Sequence, residues 1–146
     1  MLDDNNQQCP VARALEVLGD RWALMILRDA FDGLRRFSEL QKNLGLAKNI
    51  LAGRLKLLVE AGLLVQQPAS DGSAYKEYVL TDKGRSVFPV VVGLRQWGER
   101  FLFEAAEPRS QLLDDRAQPL ETLQVRAKDG RVLGPEDCRR RVVRHA

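Results

Sequence analysis

Between Phe37 and Leu64 the chain reads FSELQKNLGLAKNILAGRLKLLVEAGLL, two helix-periodic segments joined through one glycine. No other stretch limits the fold so tightly. In the first segment Phe37, Leu40 and Leu44 recur on one helical face. Ser38 with Gln41 makes an S-x-x-Q capping pattern, and Gly45 stands where a left-handed residue ends a helix. The second segment, a helix predicted over 47–61, puts Ile50, Leu51, Leu55, Leu57, Leu58 and Ala61 on a wide apolar arc. A narrower outer arc is left to Asn49, Ala52, Gly53, Lys56 and Glu60. Two short helices joined this closely form a helix-turn-helix.

The flanks complete the pattern. Val11, Ala14, Leu15 and Leu18 predict a helix over Pro10–Leu18, with Pro10 suited to the first turn and Gly19 ending it. Asp20 caps a second helix, Arg21–Phe31, whose residues 22–27 are entirely apolar and so belong in the core. Beyond the pair, LLVQQ and YKEYVL read as strands around the turn-rich PASDGSA. Thr81 or Asp82 then starts a long helix, DKGRSVFPVVVGLRQWGERFLFEA, bent at Pro89, which lacks a backbone donor. The expected fold is mainly α with a small β hairpin. It is a winged helix-turn-helix with extra helices at both ends, over 1–106, followed by an extension over 107–146. In that extension LETLQVRA alternates partially, KDGR offers an Asp-Gly turn and RVLG returns as a strand. The final CRRRVVRHA is open between strand, helix and tail.

Composition narrows the function. No apolar run approaches the roughly 20 residues that span a bilayer, so no membrane role is expected. The acidic, polar MLDDNNQQCP is no secretory signal, and Cys9 and Cys138 lie too far apart for a metal-ligand spacing. A reducing cytoplasm is the expected setting, without metal or cofactor. The single histidine, His145, is next to last, and no Gly-rich phosphate loop is present, so catalysis is not expected. The net charge of +3 is uneven: residues 34–85 carry nine basic side chains against five acidic, and 126–146 seven against three. A basic middle suits a polyanionic partner.

The second helix of the pair is where such a partner would bind. A solvated helix face is ordinarily filled with long Glu and Lys side chains, and glycine costs about 1 kcal/mol there against alanine. Gly53 makes sense if the backbone must approach another molecule, although it could instead admit a neighbouring loop or the hairpin. A DNA major groove about 12 Å wide admits one helix. Asn49 suits adenine, and Lys48 or Lys56 suits guanine or phosphate. Arg54 lies on the shoulder of the arc, able to reach phosphate or to pair with an acid of the fold. Arg35, Arg36 and Ser38 stand at the start of the pair, where a phosphate would lie. Ser73, Tyr75 and Lys76 lie at or beside the hairpin tip, which could enter a minor groove or follow the backbone. Cys9, with Arg13 one turn on, sits at a helix N-terminus and is a candidate redox-sensing thiol.

Taken in order, CPVARALEVLGDRWALMILRDAF, DGLRRFSELQKNL, LAKNILAGRLKLLVEAGLL and YVLTDKG resemble an HxlR-type winged-helix regulator, a relative of the MarR group, from Cys9 to about Glu104. The resemblance implies a homodimeric bacterial transcription factor that binds double-stranded DNA. Its first and last long helices would build the dimer, engaging Val11 and Leu15 with Val91, Leu94, Trp97 and Phe101, although some of these apolar residues would serve the intramolecular core instead. Two recognition helices roughly 34 Å apart would read a palindrome-like operator. A small-molecule effector, or oxidation at Cys9, which matches the N-terminal cysteine of thiol-sensing members, would set occupancy. Ala47 stands where the family often has serine or threonine, a departure that bears on one helix cap and one phosphate contact. The competing expectation is a winged-helix protein-interaction module without specific DNA binding.

Overall fold

The computed structural model describes residues 6–144. Helices α1 (Pro10–Leu18) and α2 (Arg21–Phe31) begin and end where their caps predict. Cys9 Sγ accepts the Ala12 N–H at 3.4 Å, and Asp20 Oδ1 accepts those of Trp22 and Ala23 at 2.9 and 3.0 Å. Each cap satisfies amides that a helix start leaves free. Helix α2 runs through the core: Ala23, Ile26 and Leu27 are buried against Leu40 of α3 (Phe37–Leu44) and Leu51, Leu55 and Leu58 of α4 (Lys48–Glu60). Leu63, Leu64 and Val87 complete this cluster. Asp29 is buried beside it. The Arg28 guanidinium donates to its Oδ1 at 2.8 Å and Asn43 Nδ2 to its Oδ2 at 2.9 Å. These bonds tie α2 to α3 and satisfy a charge that would otherwise oppose folding.

The start of α3 differs from the expected capping pattern. Arg36, not Ser38, is the N-cap residue, and no side chain caps the helix. The cause lies in the hairpin, β1 (Leu64–Pro68) and β2 (Lys76–Leu80), which pair antiparallel from Leu64↔Leu80 to Pro68↔Lys76. Tyr78 N–H donates to the Arg35 carbonyl at 2.8 Å, and Arg36 bridges to Glu77. With residue 36 held extended in this way, the helix opens at Phe37 and Ser38 falls inside its first turn. Gly45, at φ 66°, is the left-handed terminator expected of it.

The single long helix expected after the hairpin is two. Thr81 Oγ1 accepts the Gly84 N–H at 3.0 Å and caps α5 (Asp82–Arg85), and α6 (Phe88–Phe101) starts afresh. Pro89 breaks the helix rather than bending it. It has no N–H for the carbonyl of Arg85, and the interruption lets Val87 turn into the core. Phe88 packs edge-on against Phe31, ring centroids 5.2 Å apart.

Two compact units divide between Val91 and Val92, inside α6, whereas the sequence set the boundary after residue 106. In the second unit the latter part of α6 is the scaffold. Gln96 acts as a surrogate strand: its Nε2 donates to the Glu121 carbonyl at 3.1 Å and its Oε1 accepts the Leu123 N–H at 2.8 Å. Arg95 donates to Ser110 Oγ at 2.9 Å. The hairpin expected over 120–134 reduces to a single bridge, Arg126↔Val132, closed by the Ala127 N–H to Arg131 carbonyl bond at 2.9 Å. Val125 and Val132 are both exposed, so no buried face rewards a longer ladder. The stretch from Cys138 to Arg144 has no regular structure, and His145 lies outside the described residues.

Candidate nucleic-acid interface

Helix α4 turns a stripe of three leucines inward: Leu51, Leu55 and Leu58 are buried. The buried arc is narrower than the sequence suggested. Ile50 is 42% exposed and Leu57 53%. At about 100° per residue these two lie more than about 100° from the centre of the leucine stripe, which puts them on the opposite shoulder. The exposed face therefore joins Asn49, Ala52, Gly53 and Lys56 to two aliphatic side chains. A Cβ placed on Gly53 would meet nothing within 4 Å. Among the described residues, the glycine makes room for neither the hairpin nor a loop. At the head of the helix Ala47 supplies no side-chain cap, the first turn holds no acidic residue, and Lys48 is the first helical residue. That end of α4 is electropositive, the reverse of what stabilises a helix on its own.

The arginines at the start of α3 face the hairpin, which forms the wing. The Arg36 guanidinium donates to Asp71 Oδ2 and lies over the Tyr75 ring, 5.6 Å from its centroid. Asp71 also accepts the Ser73 N–H at 2.9 Å. Donation from Ser73, joined by Arg36, holds the Asp71 carboxyl down at about 2, and the bond to Asp71 raises Arg36 in turn. Arg35 stands 3.7 Å from Glu77 Oε2. Glu77 is buried, and its Oε1 accepts both the Ser70 N–H and hydroxyl at 3.1 and 3.0 Å. The Ser70 N–H is the main cause that lowers its pKa. The structure thus gathers Arg35, Arg36, Ser73 and Tyr75 into one polar cluster, with Lys76 exposed beside it. Ser38 is exposed in the first turn of α3.

Arg54 takes the internal alternative. Its Nε is 3.9 Å from Asp20 Oδ1, within ion-pair range of the cap of α2 but without a hydrogen bond. Sequence reasoning missed Asp71 and Glu77, because a search for cations passes over the acids that orient them. The signal available was the alternation of charge in SDGSAYKEY.

Elsewhere, α1 buries no residue, and Val11 and Leu15 are exposed. On α6, Leu94, Trp97 and Phe101 are exposed, and the Trp97 and Phe101 rings lie 5.6 Å apart. Val91, grouped with them by sequence, takes the core alternative, half-buried against the core cluster. Both cysteines are free, Cys9 half-buried and Cys138 exposed. A cleft of about 50 Å³ beside α6, lined by Val92, Arg95, Gln96 and Glu99 with Gln111 and Leu120, is far below the several hundred Å³ of a drug-sized site. Among the described residues no group of His, Cys, Asp and Glu could hold a metal, and no helix is long and apolar enough to cross a membrane.

Comparison with known proteins places this geometry. The family model described as HxlR-like helix-turn-helix matches residues 17–106. An HTH-type transcriptional regulator of Mycobacterium tuberculosis is 49% identical over 92 residues, 63% of this chain and 58% of that protein, so the match spans less than two thirds of the relative. The crystal structure of PA1607, described as a transcription factor, is 54% identical with a TM-score of 0.88, over 95% of this chain and 99% of that one. The reduced form of the redox regulator HypR is 28% identical with a TM-score of 0.57, over 62% of this chain and 91% of that one.

Proposed function

Because the chain belongs to the HxlR-like helix-turn-helix family, we propose that it is a sequence-specific DNA-binding transcriptional regulator whose helix α4 enters the major groove. The observation that carries this reading is Gly53, set in open space on the exposed face of α4 between Asn49 and Lys56. A glycine with no internal use lowers helix stability, and close approach of a groove wall gives it one. Asn49 and Lys48 read base edges. Lys56, Arg35 and the wing residues Tyr75 and Lys76 meet the backbone. Arg36 holds the wing through Asp71 and Tyr75.

The regulator works as a homodimer on a palindrome-like operator, in the cytoplasm, without catalysis or cofactor. Exposed Val11 and Leu15 on α1, and Leu94, Trp97 and Phe101 on α6, support the dimer. Occupancy responds to a small molecule or to oxidation of Cys9, a free thiol at the head of α1. The likeness to a redox regulator supports the second route. A protein-interaction module is disfavoured, since the only acid on the outer face, Glu60, lies at its far end.

The test is fluorescence anisotropy of the protein on a labelled fragment from upstream of its own gene, against a scrambled fragment, at several salt concentrations. Preferential binding, steep in salt and lost in the Lys48→Ala, Asn49→Ala double variant, is expected. Absence of binding to either fragment at low salt would favour the interaction module.

A further inference from the structure

Ile50 is the third residue of α4. It follows Asn49, precedes Gly53 by one turn, and is 42% exposed. A lone aliphatic side chain on a surface is ordinary. This one sits at the electropositive head of a helix, beside a glycine where none of the described residues comes within 4 Å of a Cβ placed there. Among the groups that distinguish base pairs in a major groove, the 5-methyl of thymine is the one bulky apolar group; the cytosine C5–H at the same place offers far less surface. We propose that Ile50 is a specificity-determining residue that recognises a thymine methyl next to the base pair read by Asn49. The missing side chain at Gly53 brings the backbone near enough for the branched side chain of Ile50 to cover that methyl. Residues at the N-terminal end of a recognition helix are the ones that reach base edges. Leu57, two turns further on and more exposed, lies beyond that reach and is the natural control. The inference rests on the reading that α4 enters the major groove.

The experiment starts from a random-sequence duplex library, selected for binding to the full-length protein. The selected duplex is then remade with deoxyuridine at each thymine in turn, which keeps base pairing and removes only the methyl. Affinities are measured by anisotropy for the wild type, Ile50→Ala and Leu57→Ala, after thermal melts confirm that the variants are folded. At one thymine beside the Asn49 contact, loss of the methyl should weaken the wild type about fourfold, the worth of one buried methyl group. Ile50→Ala should bind the thymine duplex about as weakly and be indifferent to the replacement. Leu57→Ala should respond as the wild type does. If every deoxyuridine position affects the wild type and Ile50→Ala alike, or none affects either, the assignment of Ile50 is overturned while α4 keeps its role. If selection enriches no sequence at all, the groove reading fails and Ile50 falls with it.

Discussion

Replacing Gly53 by alanine separates two properties that usually move together. The added methyl meets nothing within 4 Å, so helix propensity alone acts and the folded state should gain about 1 kcal/mol in urea denaturation. Operator affinity should fall in the same variant, because the methyl occupies the space through which α4 approaches its groove. Parallel changes in both would remove the argument built on this residue. Asp71 gives a second measurement. Its carboxyl is depressed, so its contribution to stability is complete above the ordinary value of about 4 and is lost as pH falls through about 2. An NMR titration of its side chain should show a midpoint near 2, rising only part of the way in Arg36→Gln, because the donation from Ser73 persists. Individual residues were legible where the chemistry is local: Asp20 caps α2 as expected, and Thr81, one of the two candidates, caps α5. Ile50 and Leu57 were misread because they were sorted by residue type, when their angle from the leucine stripe decides their exposure. Asp71 and Glu77 were passed over because their partners at 36 and 35 lie far off in sequence.

The wing and the head of α3 form one mechanical element. Tyr78 bonds the Arg35 carbonyl, and the side chain of Arg36 reaches Asp71 and Tyr75. An Arg36→Ala substitution should release the loop between β1 and β2, read as faster hydrogen exchange at the Ala69 amide, which bonds the Tyr75 carbonyl at 3.1 Å. It should weaken DNA binding while leaving the salt dependence nearly unchanged, since its guanidinium is already engaged by an acid. Lys76→Ala should instead lower the salt slope by about one, the signature of a single lost phosphate contact. Equal slopes in the two variants would reverse these roles. Helices α1, α2 and α4 and both strands were readable from periodicity and turn residues, while the break between α5 and α6 was read as a bend. The start of α3 was not, because its N-cap conformation is imposed by strand β2 from 41 positions further along the chain.

At the scale of the molecule, α1 is a helix that its own chain accounts for only in part: none of its residues is fully buried, and Leu18 alone packs against the core cluster. Leu15→Asp should therefore leave the thermal midpoint of the monomer fold almost unchanged while shifting sedimentation from dimer to monomer. A variant that stays dimeric would place the interface elsewhere. The core and the order of elements were legible because buried leucines repeat at helical spacing. The division inside α6 was hidden. Gln96 grips the main chain of residues 121 and 123, and a backbone carbonyl or amide leaves no mark in the amino-acid sequence.

The fastening of the wing by Arg35 and Arg36 bears on how such folds can be recombined. A hairpin excised at 64–80 carries Asp71 and Glu77 with it but leaves their two cations behind on the connection into α3. Grafted alone onto a relative, it would confront whatever side chains stand there, with one carboxylate already buried. The portable unit is discontinuous, a ribbon plus a dipeptide, and chimaeras that respect it should inherit the pitch of the wing as well as its sequence.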